Sequence, residues 1–251
     1  NDVRLIFVRV HTARHKIRCI VVATPEYIVE HFGKFGKETV KEQLIILPRA
    51  RQQVLSKKPP ILFYPDEAAL SRKFKSRIIP QKSRIHDNPA VATTLRLRTI
   101  RDFVQSQLIG KRILPSPTKN RGQQLEQMVA AGLGYQVTDV DVLIGGYPDI
   151  RHQALEVKIQ DAPTVDLGRY SPQFDEQVEG CPGFTTQTVR YLIALTDPQT
   201  GTCQGAVLCP GRRLAEHFVY VAEKSFKCQR SIPMAFFDRF DGQAVFNPPY
   251  P

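Results

Sequence analysis

The apolar residues of this chain come in short runs, and that limits its possible folds more than any other feature. Most of the runs stop at or next to a proline, a glycine or a charge, and the 251 residues include 19 prolines and 15 glycines. No run approaches the roughly 18 residues of a membrane span. Short β-branched or aromatic runs between turn residues predict strands at 3–10, 17–23, 43–47 and 61–64. Further runs of the same kind lie at 140–144, 154–159, 189–195, 206–209 and 232–237. Helical spacing predicts helices within 67–75, 90–109, 122–133 and 212–223. Pro115-Ser116-Pro117-Thr118 interrupts any helix and marks the expected domain boundary. The expected architecture is α/β: a central mixed sheet flanked by helices over 115–251, preceded by a basic, β-rich N-terminal region over 1–114.

Charge divides the chain the same way. Lys and Arg number 35 against 24 Asp and Glu, a net +11. Residues 1–121 carry 25 basic and 9 acidic side chains, whereas 122–251 carry 10 and 15. A basic half calls for a polyanionic partner, of which nucleic acid is the commonest. The plainer alternative is a highly charged soluble surface. Arg72, Lys73, Lys75, Arg77, Lys82 and Arg84 fall in a proline-containing, weakly periodic stretch that reads as an exposed arm. The five cysteines are scattered and odd in number, so they do not form a disulfide framework. Cys203, Cys209, His217 and Cys228 lack zinc spacing. The first residues, Asn1-Asp2-Val3-Arg4, have neither the basic nor the apolar segment of a secretion signal, and a reducing cytoplasm is expected.

One segment carries candidate chemistry. Asp149 follows a Gly-Gly break after one apolar run, and Glu156 and Lys158 lie on the next. Two residues apart on a strand, Glu156 and Lys158 project from one face, while Leu155, Val157 and Ile159 take the other and pack inward. Paired as a hairpin, the two runs bring Asp149 beside Glu156. Two carboxylates repel unless a cation lies between them, and hard oxygen ligands suit Mg²⁺. A neighbouring ammonium can orient water or offset charge developing on phosphorus, which is equipment for hydrolysing a phosphodiester. The competing reading is a strand pair with solvent-facing charges. Asp139 and Asp141 read as a strand edge or exposed turn, and His152 as an exposed turn residue.

Pro148-Asp149 followed by Glu156-Val157-Lys158, framed by apolar strands and preceded by a helix, resembles the PD-(D/E)xK nuclease superfamily. The similarity extends over about residues 115–237 as a pattern of elements, and its specific motif is five residues. The resemblance implies a restriction-endonuclease-like core. It also implies that Asp149, Glu156 and the Val157 carbonyl bind the metal, that Lys158 is the catalytic lysine, and that Glu126 is the extra carboxylate on the preceding helix. Arg169 and Gln173, after the motif strand, are further candidates for contact with phosphate or a base.

The expectation is therefore a Mg²⁺-dependent endonuclease of restriction type, cutting specific sites in double-stranded DNA in a prokaryotic cytoplasm. Two cuts in a duplex suggest a homodimer, although a monomer can cut sequentially. The alternatives are a structure-selective or repair nuclease, such as a junction resolvase or mismatch-repair nickase, and an inactive DNA-binding module.

Overall fold

The computed structural model describes residues 3–11, 14, 16–34, 39–74, 82–116, 119–221, 225–227 and 232–249. The N-terminal half holds strands β1 (Leu5–His11), β2 (Lys16–Ala23), β3 (Thr39–Ile45) and β4 (Ile61–Phe63). Between and after them lie helices α1 (Pro25–Phe32), α2 (Pro48–Leu55), α3 (Ala68–Ser71) and α4 (Leu97–Phe103), the last continued by a π turn, Val104–Leu108. The second half opens with helices α5 (Arg121–Leu133) and α6 (Asp139–Ile144). Strands β5 (Leu155–Gln160), β6 (Thr164–Gly168), β7 (Arg190–Thr196) and β8 (Cys203–Pro210) follow. The chain ends with β9 (Val219–Tyr220), β10 (Ser225–Lys227), α7 (Met234–Asp238) and β11 (Ala244–Phe246). No helix among the described residues is long and apolar enough to cross a membrane. Cys19, Cys181, Cys203 and Cys209 are buried free thiols.

Contacts group the chain into two units, Asn1–Val40 with Phe226–Pro251, and Lys41–Ser225. In the smaller unit β2 pairs antiparallel with β1 and parallel with β11. The inner face of that sheet buries Cys19, Val21 and Ala23 against Tyr27, Ile28 and Phe32 of α1 and Phe236 and Phe237 of α7.

The larger unit is built on a mixed four-stranded sheet in the order β4-β8-β7-β5. β8 runs parallel to β4 and antiparallel to β7, which runs parallel to β5. Strand periodicity divides its side chains between two cores. Leu155, Val157, Leu192, Ala194, Ala206 and Leu208 face Leu97 and Ile100 of α4 and Leu125 and Val129 of α5. Tyr191, Ile193, Leu195 and Val207 face Leu44 of β3, Val165 and Leu167 of β6 and Val54 of α2. β7 is buried along its whole length, as its unbroken apolar run requires.

The helix before the motif forms as the sequence predicts. Leu125, Val129 and Leu133 recur every four residues and are buried. Asn120 and Gln123 make a reciprocal capping box, and Gly134 closes the helix in the left-handed conformation at φ 104. Leu155, Val157 and Ile159 pack inward as expected.

Several expectations are corrected. The boundary at 114/115 runs through the larger unit, because β4 pairs with β8 in register Ile61↔Ala206 and is part of the same sheet as the motif strand. Among the described residues, the first 114 positions are not predominantly strand: they hold four strands and four helices. Residues 140–144 are helical rather than extended, since Thr138 and Asp141 form a capping box that overrides a β-branched composition. The run at 232–237 is also helical in part: after Pro233, Phe236, Phe237 and Phe240 pack at helical rather than alternating positions. The helix expected over 212–223 stops as a 3₁₀ turn, Gly211–Glu216, followed by β9.

Candidate active site

β5 is an edge strand of the four-stranded sheet, and the chemistry-bearing residues gather along that edge. The expected hairpin is reduced to one antiparallel bridge. Ile150 N–H donates to the Leu155 carbonyl at 2.9 Å, and Leu155 N–H returns to the Ile150 carbonyl at 3.2 Å. A 3₁₀ turn, Arg151–Gln153, closes the loop, with Ala154 in the left-handed region at φ 45. The short return is enough to lay Asp149 alongside Glu156 and Val157.

The contacts are dense. Asp149 N–H donates to Glu156 Oε2 at 3.0 Å, and Val157 N–H donates to Asp149 Oδ2 at 2.9 Å. Lys158 Nζ lies 2.5 Å from Glu156 Oε1 and 3.4 Å from Asp149 Oδ2, bridging the two carboxylates. Glu156 is only 2% exposed, so the reading of solvent-facing strand charges does not hold for it. Since Val157 N–H points to Asp149 and not to β7, the Val157 carbonyl points to the same open edge, as both groups of one strand residue do.

Glu156 and Glu126 resist ionisation. Burial, then the charge of Asp149, pushes Glu156 up to about 8, against the pull of Lys158. Burial, then Asp149, pushes Glu126 of α5 up to about 7, again opposed by Lys158. Burial disfavours charge on Lys158, but Glu156 and Asp149 outweigh it and hold its pKa above the ordinary lysine value. The ammonium therefore keeps its proton throughout the neutral range.

A cavity of about 410 Å³ opens beside this cluster. Glu126, Val157 and Lys158 line it, together with Asn120 and Gly122 at the start of α5 and Lys41 and Asp166. Among the described residues, no three His, Cys, Asp or Glu side chains close around a point that could hold an ion. Mg²⁺ commonly takes only one or two carboxylates and completes its shell with water and phosphate. Asp149, Glu156 and the Val157 carbonyl fit that ion in kind, and the raised pKa values of Glu156 and Glu126 come first from burial and second from the charge of Asp149.

The remaining candidates are dispersed. Arg72 and Lys73 sit on the exposed turn after α3, and Lys82 and Arg84 are exposed in later turns. None of these four lines the cavity. Lys75 and Arg77 lie outside the described residues, as does Cys228. Arg169 is exposed just beyond β6, its guanidinium 5.5 Å from the ring centre of Tyr170. Tyr170 in turn stacks on Tyr147 at 4.6 Å, two residues before Asp149. Gln173 is exposed in the same loop.

His152 is corrected outright. It is 3% exposed, with Nδ1 2.7 Å from the Tyr135 hydroxyl and Nε2 2.7 Å from Thr93 Oγ1, and burial lowers its pKa. Asp141 serves α6 as a cap and lies in neither a strand edge nor a free turn. The sequence reading missed Lys41 and Asp166. No local pattern marks them, because their meeting depends on β3 pairing with β6 across more than a hundred residues.

No protein-family model, curated protein or solved structure matches this chain.

Proposed function

We propose that this chain is a Mg²⁺-dependent endonuclease of restriction type that hydrolyses phosphodiester bonds in double-stranded DNA, on a restriction-endonuclease-like core. The observation that carries the reading is the contact set of Asp149 with Glu156 and Lys158 of an edge strand, with Glu126 of α5 lining, together with Lys158, the cavity beside it. A buried group of carboxylates with one ammonium is costly to assemble and rarely serves packing alone.

In this reading Asp149, Glu156 and the Val157 carbonyl hold the ion, which supplies Lewis acidity and a water of lowered pKa. Lys158 acts here in its protonated form and not as a base. Its ammonium instead offsets the negative charge that builds on the phosphoryl oxygens in the transition state. Glu126 orients the attacking water from the helix side. The exposed Arg72, Lys73, Lys82, Arg84, Arg169 and Gln173 contribute contacts to the duplex, the cations mainly to its phosphates.

The test is a plasmid digest with Mg²⁺. Discrete fragments are expected from the wild type. Asp149→Ala and Lys158→Ala are each expected to reduce cleavage by at least about 10²-fold while duplex binding persists. Undiminished cutting by either variant removes the site assignment. Cutting confined to branched or nicked substrates replaces the restriction reading with a structure-selective one.

A further inference from the structure

Lys41 and Asp166 also line the cavity, and nothing in the motif calls for them. Lys41 is on β3 and Asp166 on β6. The two strands pair with Gln43 opposite Asp166 and Glu42 opposite Gly168, with a register irregularity between Glu42 and Gln43. Lys41 Nζ then forms an ion pair with Asp166 Oδ2. Both residues line the cavity that also holds Glu126, Val157 and Lys158. The Lys41 side chain is 21% exposed and that of Asp166 44%.

An ion pair that half faces solvent contributes little to stability, because water competes for both charges. An ion pair of this kind can be exchanged for another anionic partner that enters the cavity. Phosphate oxygens accept the same kind of charge-assisted hydrogen bond as a carboxylate, and each DNA phosphate neutralised by a cation also releases condensed counter-ions. Asp166 is itself held ionised: burial would raise its pKa, but the Lys41 hydrogen bond and the Gly168 N–H outweigh that and lower it. It therefore acts as a counter-ion that keeps Lys41 at the cavity wall.

We propose that Lys41 is a phosphate-anchoring residue of this site: it exchanges Asp166 for a backbone phosphate of the bound strand and so positions the scissile bond against Lys158 and the carboxylates. The proposal rests on the nuclease reading. It assigns Lys41 to positioning, since its ammonium acts on a neighbouring phosphate and not on the reacting atoms.

The two partners of the pair give opposite signs if this is so, whereas a merely structural ion pair gives the same sign. Binding of a fluorescent mixed-sequence duplex is measured by anisotropy in EDTA, where no strand is cut, over a range of salt concentrations. Lys41→Gln is expected to weaken binding and to lower the slope of log affinity against log salt by about 0.9, the value of one phosphate contact. Lys41→Arg is expected to restore the slope. Asp166→Asn, which removes the competing carboxylate, is expected to leave the slope intact and to tighten binding. Equal losses in Lys41→Gln and Asp166→Asn, or an unchanged slope in Lys41→Gln, overturns the assignment of Lys41 while leaving the nuclease reading in place. A wild type that neither binds duplex nor cuts plasmid with Mg²⁺ overturns both.

Discussion

At the residue scale the instructive group is Glu156. A carboxylate that is 2% exposed and faces Asp149 would be destabilising if ionised alone, and Lys158 at 2.5 Å offsets only part of that cost. Glu156 is pushed up to about 8 and Glu126 to about 7. A carboxylate whose folded pKa is raised contributes its full stability below its ordinary pKa of about 4.3, and loses it as pH rises through the folded value. For these two groups the loss falls between the ordinary carboxylate range and about 8. A bound divalent cation displaces the protons and reverses it. Mg²⁺ is thus expected to raise the melting temperature more at about pH 9 than at about pH 6. Glu126→Gln should narrow that difference. Thermal scans at the two pH values with and without Mg²⁺ decide it, and an equal shift at both would mean that the ion does not meet these carboxylates.

At the scale of elements, local signals succeeded where they agreed with packing. α5 was legible because its cap, its apolar stripe and its terminal glycine all specify one helix. The inward face of β5 was legible for the same reason. α6 was not, because its composition favours a strand while Thr138 and Asp141 favour a helix start, and in six residues the cap decides. That argument makes a prediction. Thr138 Oγ1 accepts from Asp141 N–H, and Asp141 Oδ2 accepts from both the N–H and the hydroxyl of Thr138. Thr138→Ala is expected to cost about 1 kcal/mol in urea denaturation, with a larger local loss of hydrogen-exchange protection over α6. The convergence of Asp149 on Glu156 was legible, but its cause was not. The hairpin inferred from two apolar runs is a bridge of one residue pair, and the turn depends on Ala154 adopting a positive φ that no spacing rule announces.

At the scale of the whole molecule, the charge division between the halves remains a fact of the sequence but does not coincide with a structural division. Pairings between distant segments hold the larger unit together, and they are illegible in sequence because each partner looks ordinary where it stands. Asp66 and Arg190 show this best. Asp66 follows β4 and resembles any residue of a Pro-Asp turn, yet it is 7% exposed. Its Oδ2 accepts from Leu97 N–H at the start of α4 at 3.0 Å, and its Oδ1 accepts from Arg190 Nε at 2.9 Å. Arg190 opens β7, is fully buried, donates to the Gln153 carbonyl at 3.1 Å and lies 4.6 Å from the ring centre of Phe74. One carboxylate thus joins the turn after β4, the α4 terminus and the central strand, directly beneath the motif loop. Removing it alone strands a buried guanidinium, and Asp66→Ala is expected to cost about 3–5 kcal/mol in chemical denaturation. Replacing both members by apolar residues of similar volume, Asp66→Leu with Arg190→Met, removes the unpaired charge and is expected to recover much of that loss. The freed Leu97 N–H keeps the recovery incomplete. A double variant as unstable as Asp66→Ala would show that the hydrogen bonds to Leu97 and Gln153, and not the ion pair, hold these segments together.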